Sequence, residues 1–179
     1  MGTVKRQNIT NTPEDPVMYT DRTERFFSRK MYHYTGMIHE QLTPKHAFEF
    51  ESFLLKTVIG HDGYCMSDRE RYEKVQRNLK MLFSQLEKEP DNPYVYFQIG
   101  RTYYNINDYP KACFFYERVF EFDLNPQLNY INVMAVEYAY SLIETRQKEK
   151  ALALRDKYDV FATTADFVYV MGLIYLENG

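Results

Sequence analysis

Four histidines and two cysteines are the side chains in this sequence best suited to bind a metal or to act as nucleophiles: His33, His39, His46, His61, Cys65 and Cys113. A compact zinc site needs ligand pairs a few residues apart, such as two histidines on one helical face or a Cys-x-x-Cys pair. Neighbouring histidines here are at least six residues apart, and the cysteines form no such pair. The spacing therefore predicts no self-contained zinc site. The sequence also contains no glycine-rich phosphate loop and no nucleophile elbow.

The composition of the chain is that of a globular protein. Hydrophobic residues make up 45% and charged residues 26% of its 179 residues, and the net charge is -3. This charge excludes the basic footprint of a nucleic-acid-binding protein. No apolar run approaches the length of a membrane span, and the N-terminus lacks the apolar core of a signal peptide. We therefore predict a cytoplasmic protein with reduced thiols, in which Cys113 is partly buried.

The first sixty residues predict a few short strands. Residues 1–20 are polar and interrupted by Pro13 and Pro16, so little regular structure is expected there. Residues 24–29 and 31–35 alternate roughly and are rich in aromatic side chains, which predicts two paired strands, and residues 47–59 continue the pattern. Arg29 could contact a phosphate or could protect an exposed strand edge, and we favour the edge.

The helical half of the chain begins at Ser67. Ser67 and Glu70 form a capping box, and apolar residues at spacings of three and four then predict an amphipathic helix that ends before Pro90. Asn92 and Asp108 are positioned to cap the two helices of a following hairpin. We expect Gly100 to allow these two helices to approach closely.

The spacing of small and aromatic residues over 93–126 resembles the tetratricopeptide (TPR) repeat; these residues are Tyr96, Ile99, Gly100, Tyr103, Ala112 and Tyr116. Ala139 and Ala151 restate the pattern 39 residues later, although Arg155 replaces the second aromatic residue. A third unit begins at Ala165 and is incomplete. The predicted repeats are 93–126, 132–164 and 165–179, within a helical domain of residues 65–179.

Two stretches before the repeats suggest a second family. Residues 25–27 (RFF) precede 34–40 (YTGMIHE), and 61–64 (HDGY) follow before the helical half. This order resembles the C-terminal part of bacterial family 2 glycosyltransferases that carry TPR repeats. The resemblance implies a mainly α chain, a TPR-like α-solenoid preceded by a small strand-containing segment (residues 1–64) that is the remnant of an A-type glycosyltransferase domain.

The glycosyltransferase resemblance also implies a chemistry. Full-length members use a nucleotide sugar and a divalent metal, Mn²⁺ or Mg²⁺, commonly held by an Asp-x-Asp motif that this sequence lacks. It implies that His39 and Glu40 complete the metal and diphosphate site. The alternative is that His39 bonds a loop carbonyl and Glu40 is only solvated. We expect the chain alone to bind no cofactor and to be inactive.

The TPR resemblance implies a partner-binding groove on the first helix of each repeat, lined by Tyr94, Phe97, Arg101, Tyr104, Val133, Val136, Tyr140, Tyr169 and Leu173. Its occupant would be a protein or peptide acceptor, a second copy of the chain, or the body of the enzyme itself. Two functions remain open: the tail of a glycosyltransferase, or a free-standing TPR scaffold for protein–protein interaction without catalytic activity.

Overall fold

A computed structural model describes residues 1–9, 18–36, 40–47, 51–61, 67–162 and 164–178. The protein is mostly helical with a small sheet segment towards the N-terminus. Its residues divide into two compact units, Met1–Arg77 and Asn78–Gly179. The strands are β1 (Gly2–Ile9), β2 (Met18–Phe26), β3 (Tyr32–Thr35), β4 (Gln41–Pro44) and β5 (Phe53–His61). The helices are α1 (Asp68–Lys88), α2 (Pro93–Tyr104), α3 (Tyr109–Val119), α4 (Asn129–Glu144), α5 (Lys148–Ala153), α6 (Tyr158–Phe161) and α7 (Ala165–Asn178).

Three strands form one sheet in the order β2-β1-β5, with β1 in the centre. β1 is antiparallel to β2 and parallel to β5. Along β1, Val4 and Asn8 are buried whereas Lys5 and Gln7 are exposed, as the two-residue period of a strand requires. The prediction that residues 1–20 lack regular structure is therefore wrong for 2–9 and 18–20. Local polarity concealed a strand whose buried face contains polar side chains.

The predicted pairing of residues 24–29 with 31–35 is also wrong. β2 pairs with β1, while β3 pairs with β4 in a separate hairpin that places Tyr32 opposite Pro44. Between β2 and β3 the chain turns on itself, because the amides of Met31 and Tyr32 both donate to the carbonyl of Ser28 at 3.0 Å. This turn separates the two strands.

An ion pair joins the first two strands on the buried face of the sheet. Arg6 Nε donates to Asp21 Oδ1 at 2.9 Å, and Arg6 Nη2 contacts the other carboxylate oxygen. The hydrogen bonds from Arg6 hold the pKa of Asp21 below its usual range. On the other side of β1, His61 Nδ1 lies 2.9 Å from Asn8 Oδ1. These contacts explain why a sheet with so few apolar residues accommodates buried polar groups.

The predicted helix caps are confirmed at three helix starts. The amide and hydroxyl of Ser67 donate to Glu70 Oε2 at 2.8 and 2.7 Å, which completes the capping box at α1. Asn92 Oδ1 accepts from the amide of Tyr94 at 3.0 Å at the start of α2. Asp108 Oδ1 accepts from the amide of Lys111 at the start of α3.

Helices α2 and α3 pack together as a hairpin whose closest approach is at Gly100. A Cβ atom at Gly100 would lie 2.7 Å from Cε1 of Tyr116, whose ring is fully buried. The prediction that Gly100 allows a close approach is therefore confirmed. The ring that occupies the space is that of Tyr116 rather than the methyl group of Ala112.

Two glycine substitutions are expected to have opposite effects. Gly100→Ala should destabilise the protein, because overpacking a rigid core costs about 1–3 kcal/mol and exceeds the gain of about 1 kcal/mol in helix propensity. Gly172→Ala should stabilise α7, since no atom lies within 4 Å of a Cβ there. Urea unfolding of both variants measures the difference. Stabilisation by Gly100→Ala would contradict the close packing.

The structure of the first hairpin recurs 39 residues later. Thr102 donates to the carbonyl of Gln98 at 2.8 Å, and Ser141 donates to that of Glu137 at 2.7 Å. The turns also match, because Asn107 and Arg146 both have a positive φ, at 60° and 55°. The second hairpin differs in its second helix, where α5 ends at Ala153 and a 3₁₀ turn follows over Leu154–Lys157. Arg155, predicted to weaken this contact, lies exposed in that turn.

Arg146 has an unfavourable backbone for its residue type. A residue with a side chain pays about 1–2 kcal/mol in the left-handed region, whereas glycine pays almost nothing. Arg146→Gly is therefore expected to raise the free energy of unfolding by about 1 kcal/mol. Thermal unfolding measures the gain, and Arg155→Gly in the neighbouring right-handed turn is the control that should not stabilise. An unchanged or lower melting temperature for Arg146→Gly would contradict a strained turn.

Helix α7 is apolar on both of its faces. Phe167, Val170 and Ile174 are fully buried, while Tyr169 and Leu176 on the other side are 62% and 82% exposed. Met171, which the sequence predicts on the open face, is buried instead. Even with this apolar helix, none of the helices in the described ranges is long and apolar enough to cross a membrane.

Candidate functional site

The residues suggested for a metal and diphosphate site are only partly within the described ranges. His39 lies outside them, and Glu40 is exposed immediately before β4. His33 and His46 are exposed as well. Among the described residues, no three His, Cys, Asp or Glu side chains form a group that could hold a metal ion. The role of His39 and Glu40 thus stays a prediction.

Cys113 is not a reactive thiol. It is buried in α3, and burial raises the pKa of its thiol to about 11. At neutral pH the group is protonated, and a protonated thiol is a poor nucleophile. The prediction of a buried cysteine is confirmed.

The predicted groove residues lie on α2, α4 and α7, which pack in that order as neighbours within the unit Asn78–Gly179. Most of their side chains are half-buried: Tyr94, Tyr104, Val133, Val136, Tyr140 and Leu173. Arg101 and Tyr169 are exposed. We use the name groove surface for these eight residues.

Phe97, which the sequence also places in the groove, belongs to the core instead. Its ring is 1% exposed and packs on Tyr116 at 6.5 Å and on Tyr130 at 5.2 Å between ring centroids. A side chain without exposed surface cannot contact a partner directly. The physical reason for the error is that Tyr130, one turn before the predicted second repeat, covers the ring.

Glu137 is the electrostatic centre of the groove surface. Its side chain is 12% exposed, and its carboxylate accepts a 2.6 Å hydrogen bond from the Tyr116 hydroxyl. Arg101 Nε lies 3.3 Å from the second carboxylate oxygen, and its guanidinium stacks over Phe97 at 5.7 Å. Burial raises the pKa of Glu137, and these two partners oppose the shift. Glu137 therefore fixes Arg101 at the edge of the groove surface.

The tyrosines beside this ion pair share its environment. Burial, followed by the charge of Glu137, raises the pKa of Tyr104 to about 12. Its hydroxyl is thus a neutral hydrogen-bond donor at physiological pH. Tyr94 packs edge-on against Tyr130 at 5.0 Å and extends the aromatic surface. A guanidinium beside tyrosines that both stack and donate is typical of a binding surface, and it includes no nucleophile paired with a base.

Sequence reasoning missed Glu137 and Tyr130. For Glu137 a signal existed, because it is the only charged residue between Asn129 and Ile143 in an otherwise apolar helix. A lone acid at a buried helical position needs a donor. For Tyr130 no signal was available, since its role depends on the path of the chain after Val119.

Comparison with known proteins places a glycosyltransferase beside this chain. No family model matches it. Over 85 residues, 47% of its length, the chain is 28% identical to a glycosyltransferase of phage origin, a distant similarity. That protein is the SPbeta prophage-derived glycosyltransferase SunS of Bacillus subtilis (strain 168), and glycosyltransferase SunS of Bacillus phage SPbeta matches equally. The aligned part spans 20% of the length of each relative.

Proposed function

We propose that this chain is the C-terminal, TPR-containing region of a nucleotide-sugar-dependent glycosyltransferase, in which the helical repeats bind a protein or peptide acceptor. The observation that carries the proposal is the similarity to the SunS glycosyltransferases over nearly half of the chain. In a full-length enzyme, hexose transfer would use Mn²⁺ or Mg²⁺ with His39 and Glu40 near the diphosphate, in the cytoplasm.

Structural repetition supports the TPR assignment. The left-handed turn residues, the buried hydroxyl groups and the helix order all recur with the same offset of 39 residues. In such stacks each hairpin packs on its neighbours and the first helices share one surface. The succession of α2, α4 and α7 agrees with that arrangement.

The groove surface supports acceptor binding over catalysis. It combines half-buried tyrosines with one guanidinium fixed by Glu137, a composition enriched at protein interfaces. A second copy of the chain would find the same features. The alternative function, a free-standing scaffold, is favoured by one observation: the entire groove surface is built within Asn78–Gly179.

A double substitution tests acceptor binding. Tyr104→Ala with Tyr140→Ala should weaken the affinity for peptides selected from a random display library on the wild-type chain by at least about tenfold, because each truncation removes aromatic contact area. Tyr72→Ala, on an exposed part of α1, is the matched control. Surface plasmon resonance measures the affinities. Equal affinity of all three proteins would show that these peptides bind elsewhere.

Enzyme tail and free scaffold differ in a second experiment. The complete reading frame that contains this chain is expressed and assayed for sugar release from uridine-diphosphate sugars with Mn²⁺, with the 179-residue chain as the control. Activity of the longer protein alone supports the enzyme. A complete reading frame without an Asp-x-Asp motif and without activity would favour the scaffold.

A further inference from the structure

A cavity in the unit Met1–Arg77 is used by neither the proposed function nor the sheet. Its volume is about 410 Å³, and its lining residues are Phe27, Arg29, Tyr32, His33, Tyr34 and Lys45. Small-molecule sites in proteins have volumes of roughly 300–1,000 Å³. The cavity is therefore large enough for a small ligand with one ring.

Aromatic rings form the walls of this cavity. Phe27 meets Tyr34 nearly at a right angle, with ring centroids 5.4 Å apart and an interplanar angle of 89°. Phe27 also packs edge-on against Tyr32 at 6.1 Å. Tyr32 is 6% exposed and fixed by the core, whereas Tyr34 is 48% exposed. Two perpendicular rings, one of them open to solvent, offer a face and an edge to a flat apolar ring.

Two cations are held at the same cavity by the backbone. The Lys45 amide donates to the carbonyl of Met31 at 2.8 Å, because β4 ends opposite the start of β3. The Lys45 ammonium donates to the carbonyl of Arg29, also at 2.8 Å. These bonds bring the Lys45 charge next to the backbone of Arg29 before any ligand arrives.

The charge of the cavity is not balanced by the protein. None of the six lining residues is acidic. Within the described part of the chain, the guanidinium of Arg29 and the ammonium of Lys45 have no carboxylate partner. Nearby like charges repel, and a doubly charged anion would relieve that repulsion. The same two charges disfavour a cationic ligand in this aromatic cavity.

We propose that the cavity bounded by Phe27, Tyr34, Arg29 and Lys45 binds a small phosphomonoester that carries a flat ring. The ring stacks on Tyr34 against the edge of Phe27, and the phosphate, with a charge of about -1.5 to -2 at pH 7, lies between Arg29 and Lys45. This site goes beyond the proposed acceptor binding. It lies in the unit Met1–Arg77, whereas the groove surface lies entirely in Asn78–Gly179, so either can fail without the other.

Two probes that differ in the distance between ring and phosphate test the proposal: phenyl phosphate and uridine 5′-monophosphate. Binding to the 179-residue chain is followed by amide chemical shifts in a nuclear magnetic resonance titration. A fragment of this size is expected to bind with a Kd of about 1 mM or tighter. Inorganic phosphate and phenol, each lacking one half of the ligand, should bind at least about tenfold more weakly.

Two exposed lining residues are replaced to locate the site. Tyr34→Ala and Arg29→Gln should each weaken binding of the better probe by at least about tenfold, whereas Lys30→Gln removes an adjacent exposed cation and should leave the affinity within about twofold. Circular dichroism checks that the variants fold. If Tyr34→Ala does not fold, Arg29→Gln against Lys30→Gln decides alone. Failure of both probes to bind more tightly than inorganic phosphate would overturn the proposal, and so would equal affinity of Arg29→Gln and the wild type.

Discussion

Replacement of Phe97 by Ala is expected to lower the free energy of unfolding of the helical unit by about 3–5 kcal/mol. The ring is buried between Tyr116 and Tyr130, and Arg101 stacks over it. Truncation leaves a cavity that these neighbours can fill only by moving away from their own partners. Because domains of this size are stable by roughly 5–15 kcal/mol, the variant is expected to unfold at a markedly lower urea concentration.

The matched control for this substitution is Phe114→Ala. Phe114 lies on α3, and its ring is 56% exposed. Its truncation is expected to cost less than about 1 kcal/mol, as for most surface substitutions. Equal and small losses for both variants would place Phe97 on the surface after all, and the ring would return to the list of groove residues.

Tyr116→Phe is expected to cost about 1.5–3 kcal/mol at pH 7, although it removes a single oxygen atom. The Tyr116 hydroxyl is the closest donor to the buried carboxylate of Glu137. Without it the charge retains only Arg101, which is half-exposed and 3.3 Å away. Tyr138→Phe is the control, because its hydroxyl donates at 3.1 Å to Glu117, a more exposed carboxylate, and its loss should be smaller.

The loss in Tyr116→Phe should depend on pH in a defined direction. The pKa of Glu137 is raised by burial above its ordinary value of 4.5, so the folded state binds a proton more tightly than the unfolded state. Its contribution to stability is therefore present below pH 4.5 and is lost as the pH rises through the folded-state pKa. Protonated Glu137 needs its donor less, and the deficit of Tyr116→Phe should shrink towards acidic pH. Urea unfolding between pH 4 and 8 measures this, with Glu137→Gln as the variant in which the pH dependence disappears. A deficit that is constant with pH would rule out an ionised Glu137 as the acceptor.

Sequence reasoning worked where a local signal determines local structure. The capping residues Ser67, Asn92 and Asp108 each accept the hydrogen bond that their position predicts. Helical periodicity likewise located the helices, and the small residue at Gly100 identified the closest helix contact. These features depend on residues within one or two turns of each other.

Features set by distant residues could not be predicted. β1 looks polar because Arg6 and Asn8 occupy its buried side, and their partners Asp21 and His61 are far along the chain. The groove surface shows the same limit. Its helices were predicted correctly, but the burial of Phe97 depends on Tyr130, more than thirty residues later.

Parallel pairing of β1 with β5 has a consequence for the order in which the chain folds during synthesis. Gly2 pairs with Phe53, so a ribosome adding about 5–20 residues per second needs several seconds before the partner of β1 exists. β2 is available much earlier, and β1 and β2 can first form an antiparallel hairpin. Closing the long loop to β5 is entropically slower than closing the short loops of the helical hairpins. Each helical hairpin can fold soon after its second helix has been synthesised, whereas completion of the sheet depends on the last strand to arrive.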